Sequence, residues 1–196
     1  MGDAKRRKAL DLNFGKTVIS DPQLDKIARA IYHVRDNELA ELGVSPYQSC
    51  FFVSYMGMLL IGRRDYGVAL TNIYLRTGME VESPTFGFNS DQHAEAFHCV
   101  IIRAARSGNS NDKAPEIIDF NIGALYRAYI SQGGTVSIEY PEWLRVFHEL
   151  RHTYPVSYSN PSIEAERARY QKIEQDDTIE TAQLLAKRAA AVLRDL

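Results

Sequence analysis

The chain predicts a single α+β domain over its 196 residues. Three observations lead there. Residues 50–61 form a nearly unbroken apolar run, which reads as a buried helix. Two short runs rich in β-branched residues, 96–102 and 116–121, flank a polar loop and read as strands. Amphipathic helical spacing occupies both ends of the chain.

Residues 1–15, with the basic run Lys5-Arg6-Arg7-Lys8, read as a solvated, flexible arm because no aromatic residues interleave the charges. From 22 to 42, Leu24, Ile27, Ala28, Ile31, Val34 and Leu39 recur at helical spacing, and Gly43 breaks the pattern. This first helix is expected to pack over a sheet. Ser45-Pro46 marks a turn, after which Cys50 opens the apolar helix. Residues 67–76 alternate as Val68, Leu70, Ile73 and Leu75, the pattern of a strand.

The stretch 78–93 is irregular, and its Ser83-Pro84-Thr85-Phe86-Gly87-Phe88-Asn89 segment is expected to border a substrate cleft. The strands at 96–102 and 116–121 follow, separated by the polar loop 106–113 and paired as a hairpin. Next come a short helix at 122–131, a turn at Gly133-Gly134, a strand at 135–139 and a helix from Tyr140-Pro141 to about Leu150. Residues 163–196 read as a helical appendage, with Ile179, Ala182, Leu185, Ala186, Ala189, Val192 and Leu193 in one apolar stripe. That stripe either packs on the domain or makes a homodimer. No linker composition sets it apart.

Composition excludes several classes of function. A hydrophobic content of 45% supplies a core without metal or disulfide staples. The formal charge of -2 excludes nucleic-acid binding driven by bulk electrostatics. Two cysteines at unrelated spacing give no disulfide framework, which fits a reducing cytoplasm. No apolar stretch follows the basic N-terminus as a secretory signal would, and the run 50–61 is shorter than the roughly 20 residues of a membrane span. The expectation is a cytoplasmic protein with no membrane or nucleic-acid partner. Phosphate-cradling glycine loops and calcium loops have no match in the chain, and no cofactor is called for.

Chemistry concentrates in an ordered trio: Cys50 in the first turn of the apolar helix, His98 in one strand and Asp119 in the next. A free thiol, with a pKa of about 8.5, is mostly protonated near neutrality and needs a neighbouring imidazole to withdraw its proton. The imidazole in turn needs an orienting acceptor, which Asp119 can supply. Orphan amides and the positive dipole end of the helix favour a thiolate at Cys50 and later an oxyanion. Strand alternation sends His98 and Cys99 to opposite faces, so Cys99 reads as core. Taken singly, each of these residues has an ordinary structural role; it is their order that singles them out.

Through Gln48-Ser49-Cys50, Phe97-His98 and Ile118-Asp119, the chain resembles the papain-like cysteine peptidase superfamily. The resemblance is to its Cys-His-Asp branch, which includes transglutaminases and arylamine N-acetyltransferases, and it looks like a bacterial offshoot of it. Such a resemblance, carried over roughly residues 45–122, implies a papain-like α+β fold, with the nucleophile helix packed on an antiparallel sheet and extra helices at both ends. It also implies acyl transfer on an amide, ester or thioester, as peptidase, amidase or transferase, with Gln48 and Ser49 on the oxyanion and substrate side.

A rival lies downstream. His148-Glu149-Leu150-Arg151-His152 matches the H-E-x-x-H pattern, which on a helix presents two imidazoles to zinc and a glutamate to a metal-bound water. Arg151 inside the motif and Pro155 just after it work against that reading. No third histidine follows, leaving Glu164 or Glu166 as the remaining ligand. A metal shared by His93, His98, Cys50 and Cys99 is disfavoured by the odd spacing of the histidines on a strand. A third alternative is a binding domain without catalysis.

Overall fold

A computed structural model describes residues 21–44, 49–75, 83–84, 98–103, 116–147, 156–159, 164, 166–167, 170–171 and 178–196. Helix α1, Pro22–Val34, starts at Asp21, whose side chain accepts hydrogen bonds from the amides of Gln23 and Leu24, and has Pro22 in its first turn. It continues through a π-helical turn, Arg35–Leu39, and stops at Gly43, whose φ of 74° suits glycine. Helix α2, Cys50–Ile61, is closed by Gly62 in the left-handed conformation.

Strand β1, Tyr66–Leu75, is the hub of a six-stranded antiparallel sheet. Its first half pairs with β3, His98–Arg103, from Tyr66 opposite Arg103 to Thr71 opposite His98. Its second half pairs with β6, Val156–Ser159, beginning with Asn72 opposite Ser159. Strand β2, Ser83–Pro84, pairs with Tyr74 and Leu75 and so lies across β1 from β6. Strand β4, Glu116–Asp119, lies between β3 and β5, Leu144–Phe147. The expected strand at 67–76 and the hairpin of the next two are therefore present. Of the expected cleft-bordering loop, only Ser83 and Pro84 are described.

Alternation divides the buried side chains between two layers. Ile101 and Ile118 face α1, α2 and the C-terminal helix α4, Thr178–Asp195. Val100 and Ile117 face α3, Ile122–Ser131, through its Leu125 and Tyr126. The apolar stripe of α4 is occupied within the chain: Ala182, Leu185, Ala186 and Ala189 are buried, and the helix packs on both α1 and α2.

Two expectations fail downstream of α3. Residues 135–139 form no strand; Val136 and Ile138 alternate, but they pack directly on the cluster around α3. Residues 144–147 form strand β5 instead of the predicted helix. The buried carboxylate of Glu116 explains this. Arg145, one step along the pleat between Leu144 and Val146, reaches Glu116 with Nε at 3.0 Å and Nη2 at 2.9 Å. Leu144 and Val146 meanwhile enter the α3 layer. A helix would not send Arg145 to one face and both neighbours to the other.

Close packing between α2 and the sheet makes a first prediction. A Cβ at Gly57 would lie 2.7 Å from Ile101 Cδ1 and from Phe120 Cδ2, whereas at Gly67 it would meet nothing within 4 Å. Urea denaturation should show Gly57→Ala destabilised by about 1–3 kcal/mol through overpacking, and Gly67→Ala changed far less. Equal effects at the two positions would contradict the packing described.

Candidate active site

The residues of interest gather where β1 exchanges β3 for β6. Asp119 stands opposite Leu144 in one pairing and on the same face of the sheet as Val100, which places it diagonal to His98 across the β3–β4 pair. The consequence is a direct hydrogen bond between His98 Nε2 and Asp119 Oδ2 at 2.7 Å, with both side chains essentially without solvent exposure. The same carboxylate accepts two further bonds, from the Tyr158 hydroxyl on Oδ2 at 2.9 Å and from the Asn121 amide on Oδ1 at 2.8 Å. Burial, followed by the charge of Asp119, pushes the Tyr158 phenol well above its usual range, so it stays protonated and donates.

Cys50 lies in the first turn of α2 and is 3% exposed. Its helix takes Ser49 as N-cap, but the Ser49 side chain makes no capping bond; its hydroxyl donates to Asn121 Oδ1 at 3.4 Å. The first backbone bond of the helix runs from the Val53 amide to the Ser49 carbonyl. The positive end of the helix dipole therefore acts at Cys50 without a side-chain cap in between.

The electrostatics of Cys50 and His98 are linked. Hydrogen bonding from the Cys99 thiol is the largest influence on Cys50 and favours the thiolate; burial opposes it, and the proximity and charge of His98 add to it. The Cys50 pKa falls to about 5. For His98, burial alone would disfavour the imidazolium, but the charge and hydrogen bond of Asp119, together with Cys50, outweigh it and the pKa rises to about 10. With Nε2 committed to Asp119, Nδ1 is the nitrogen left for a second proton exchange. It is buried and makes no hydrogen bond of full geometry among the described residues.

Of the sequence-predicted residues, His98 and Asp119 are thus in contact, Cys50 couples to His98, and Ser49 links Cys50 to the loop after Asp119. Gln48 lies outside the described residues, as do His148, Glu149 and His152. The helix expected beneath the zinc pattern is replaced up to residue 147 by β5. No group of three metal-ligating side chains occurs among the described residues.

Three contributors were not predicted. Tyr158 carries no signal in the sequence that ties it to Asp119, whereas the Asn121 amide bonds Asp119 in a local Asx turn two residues on. Cys99 is core, as expected, being fully buried beside Cys50, Phe51 and Leu70. Yet it also acts on the Cys50 thiol, because α2 enters over the face of β3 that Cys99 occupies.

Comparison with protein-family models, with curated proteins and with solved structures yields no match to the chain. No helix among the described residues is long and apolar enough to cross a membrane.

The linked shifts set a pH window. Between about 5 and about 10, Cys50 should be a thiolate beside an imidazolium. Ultraviolet thiolate absorbance, followed from pH 4 to pH 9, should therefore show one cysteine ionising near the lower limit, and His98→Ala should move that step up towards the ordinary thiol range of about 8.5. Two cysteines both titrating above pH 8 in the parent protein would contradict the coupling. A second expectation concerns Tyr158→Phe, which removes one donor from a buried carboxylate and should cost about 1–3 kcal/mol in chemical denaturation.

Proposed function

We propose that the protein is a thiol-dependent acyl-transfer enzyme acting on an amide, ester or thioester, with Cys50 as nucleophile, His98 as proton carrier and Asp119 as the group that orients and charges His98. The observation that carries this reading is the linkage at His98: one ring nitrogen held by a buried carboxylate, and the imidazole as a whole coupled to a thiol whose pKa lies far below the ordinary value. A structural histidine in an apolar core has no need of a buried acid on one side and a depressed thiol on the other.

In the first step the Cys50 thiolate attacks the substrate carbonyl carbon, forming a C–S bond and placing negative charge on the oxygen. The amide N–H groups of the first turn of α2 would donate to that oxygen, and the helix dipole favours the charge. His98 then gives its proton to the departing amine, alcohol or thiol, and a thioester on Cys50 is left. Water or an amine next attacks the thioester while His98 takes up its proton, and the Cys50 thiolate leaves. Water yields a carboxylic acid and an amine yields an amide, so peptidase, amidase and transferase outcomes share the same residues.

Two neighbouring cysteines outside any disulfide favour a reducing compartment such as the cytoplasm. The role of Asp119 in this scheme is electrostatic and orientational: three hydrogen bonds fix its carboxylate beside the His98 ring.

Incubation with 4-nitrophenyl acetate followed by peptide mass spectrometry should place an acetyl group on Cys50. The acylation rate should fall by about 100- to 10,000-fold in His98→Ala, the range removed with a general acid–base group. An adduct confined to Cys99, or an unchanged rate in His98→Ala, would overturn the assignment.

A further inference from the structure

Beside the nucleophile lies a cavity of about 230 Å³ that the acyl-transfer scheme leaves unused. Phe51, Tyr55 and Met58 line it from α2, Val68 and Leu70 from β1, and Cys99 from β3. Ile179 and the exposed Tyr170 complete it on the C-terminal side. Among the described residues no charged side chain belongs to its lining, and the polar side chains there are two phenols and one thiol.

The cavity adjoins the apolar cluster that holds the nucleophile, although Cys50 itself is not in its lining. Cys50 is buried in one apolar cluster with Phe51, Leu70 and Cys99, against which Tyr55, Val68 and Ile179 pack. Three of the lining residues of α2 follow one stripe of the helix away from Cys50. From Phe51 to Met58 that stripe covers about 10 Å along the axis. The volume exceeds the roughly 150 Å³ of an apolar cavity that admits benzene.

From these features we infer that the cavity is the acyl subsite of the enzyme: it takes an uncharged, apolar acyl group of medium length, aliphatic or aryl-alkyl, whose carbonyl is presented to Cys50. This inference rests on the proposed thiol chemistry for the position of the carbonyl, and on the lining for the nature of the chain. A charged acyl substituent would enter without a counter-charge among the described lining residues and is disfavoured. A peptide backbone is disfavoured on the same ground, because its amides would find only two phenols and a thiol as partners among those side chains. A hydrocarbon chain, by contrast, gains from each methylene it removes from water.

Filling the cavity from either wall tests the assignment without touching Cys50, His98 or Asp119. Val68→Phe intrudes from β1 and Met58→Trp from α2, so a folding failure in one still leaves the other. With 4-nitrophenyl acetate and 4-nitrophenyl hexanoate as probes, kcat/KM for the parent protein should favour hexanoate by roughly 250-fold, about fourfold for each of the four added methylenes. Each variant should keep acetate turnover and lose the hexanoate preference. Equal kcat/KM for the two esters in the parent protein would overturn the acyl subsite while leaving the thiol chemistry in place.

If neither ester is turned over, the thiol chemistry fails and the cavity is judged by binding alone. Calorimetric titration of the parent protein with octanamide then decides it. Binding that Val68→Phe or Met58→Trp abolishes supports an apolar-chain site. No binding, or binding unchanged in both variants, overturns it.

Discussion

A carboxylate removed from water is stable as an anion only if donors and a positive charge replace the solvent it has lost. Asp119 meets that condition through the His98 ring, the Tyr158 hydroxyl and the Asn121 amide, which belong to β3, to β6 and to the turn that opens α3. One buried acid therefore ties three parts of the fold to one point. It also sets the chemistry, since a carboxylate so placed holds a charged imidazole beside Cys50 in spite of burial. A neutral residue at this position would remove the largest influence that raises the His98 pKa, and with it the share of the Cys50 shift that comes from His98.

The other end of β4 shows the same physics without the chemistry. Glu116 is equally buried, but it is answered by permanent cations: Arg145 by two hydrogen bonds and Arg103 by an ion pair at 3.5 Å. Guanidinium groups do not exchange protons near neutrality, so that network is structural and anchors β5 to the sheet. Asp119 faces a group that can titrate. The contrast along a single four-residue strand separates an acid answered by permanent cations from one bonded to a group that can titrate.

Much of this arrangement was legible in the sequence. Apolar periodicity located α1, α2, β1 and α3 and placed His98 and Asp119 on neighbouring strands, and diagonal contact across a hairpin then followed. What misled was the segment from 135 to 150, where the spacing of Trp143, Val146 and Phe147 fits a helix as readily as an alternating strand. The deciding influence there, Glu116 requiring Arg145, is a tertiary one that no local pattern reports. Tyr158 was invisible for a similar reason, since it reaches Asp119 only once the sheet is assembled, whereas the Asn121 amide closes a local Asx turn on Asp119. Cys99 was assigned to the core correctly, but strand alternation does not reveal that a helix crossing that face brings Cys50 to it.

The central claim is that buried Asp119 keeps His98 charged at neutral pH. Nitrogen-15 chemical shifts of the His98 ring, assigned with His98→Gln and followed across pH, read that charge directly. The account predicts both ring nitrogens protonated at pH 7, with the transition lying well above the ordinary imidazole pKa of about 6.5 and returning towards it in Asp119→Asn. A neutral ring at pH 7 in the parent protein would contradict it.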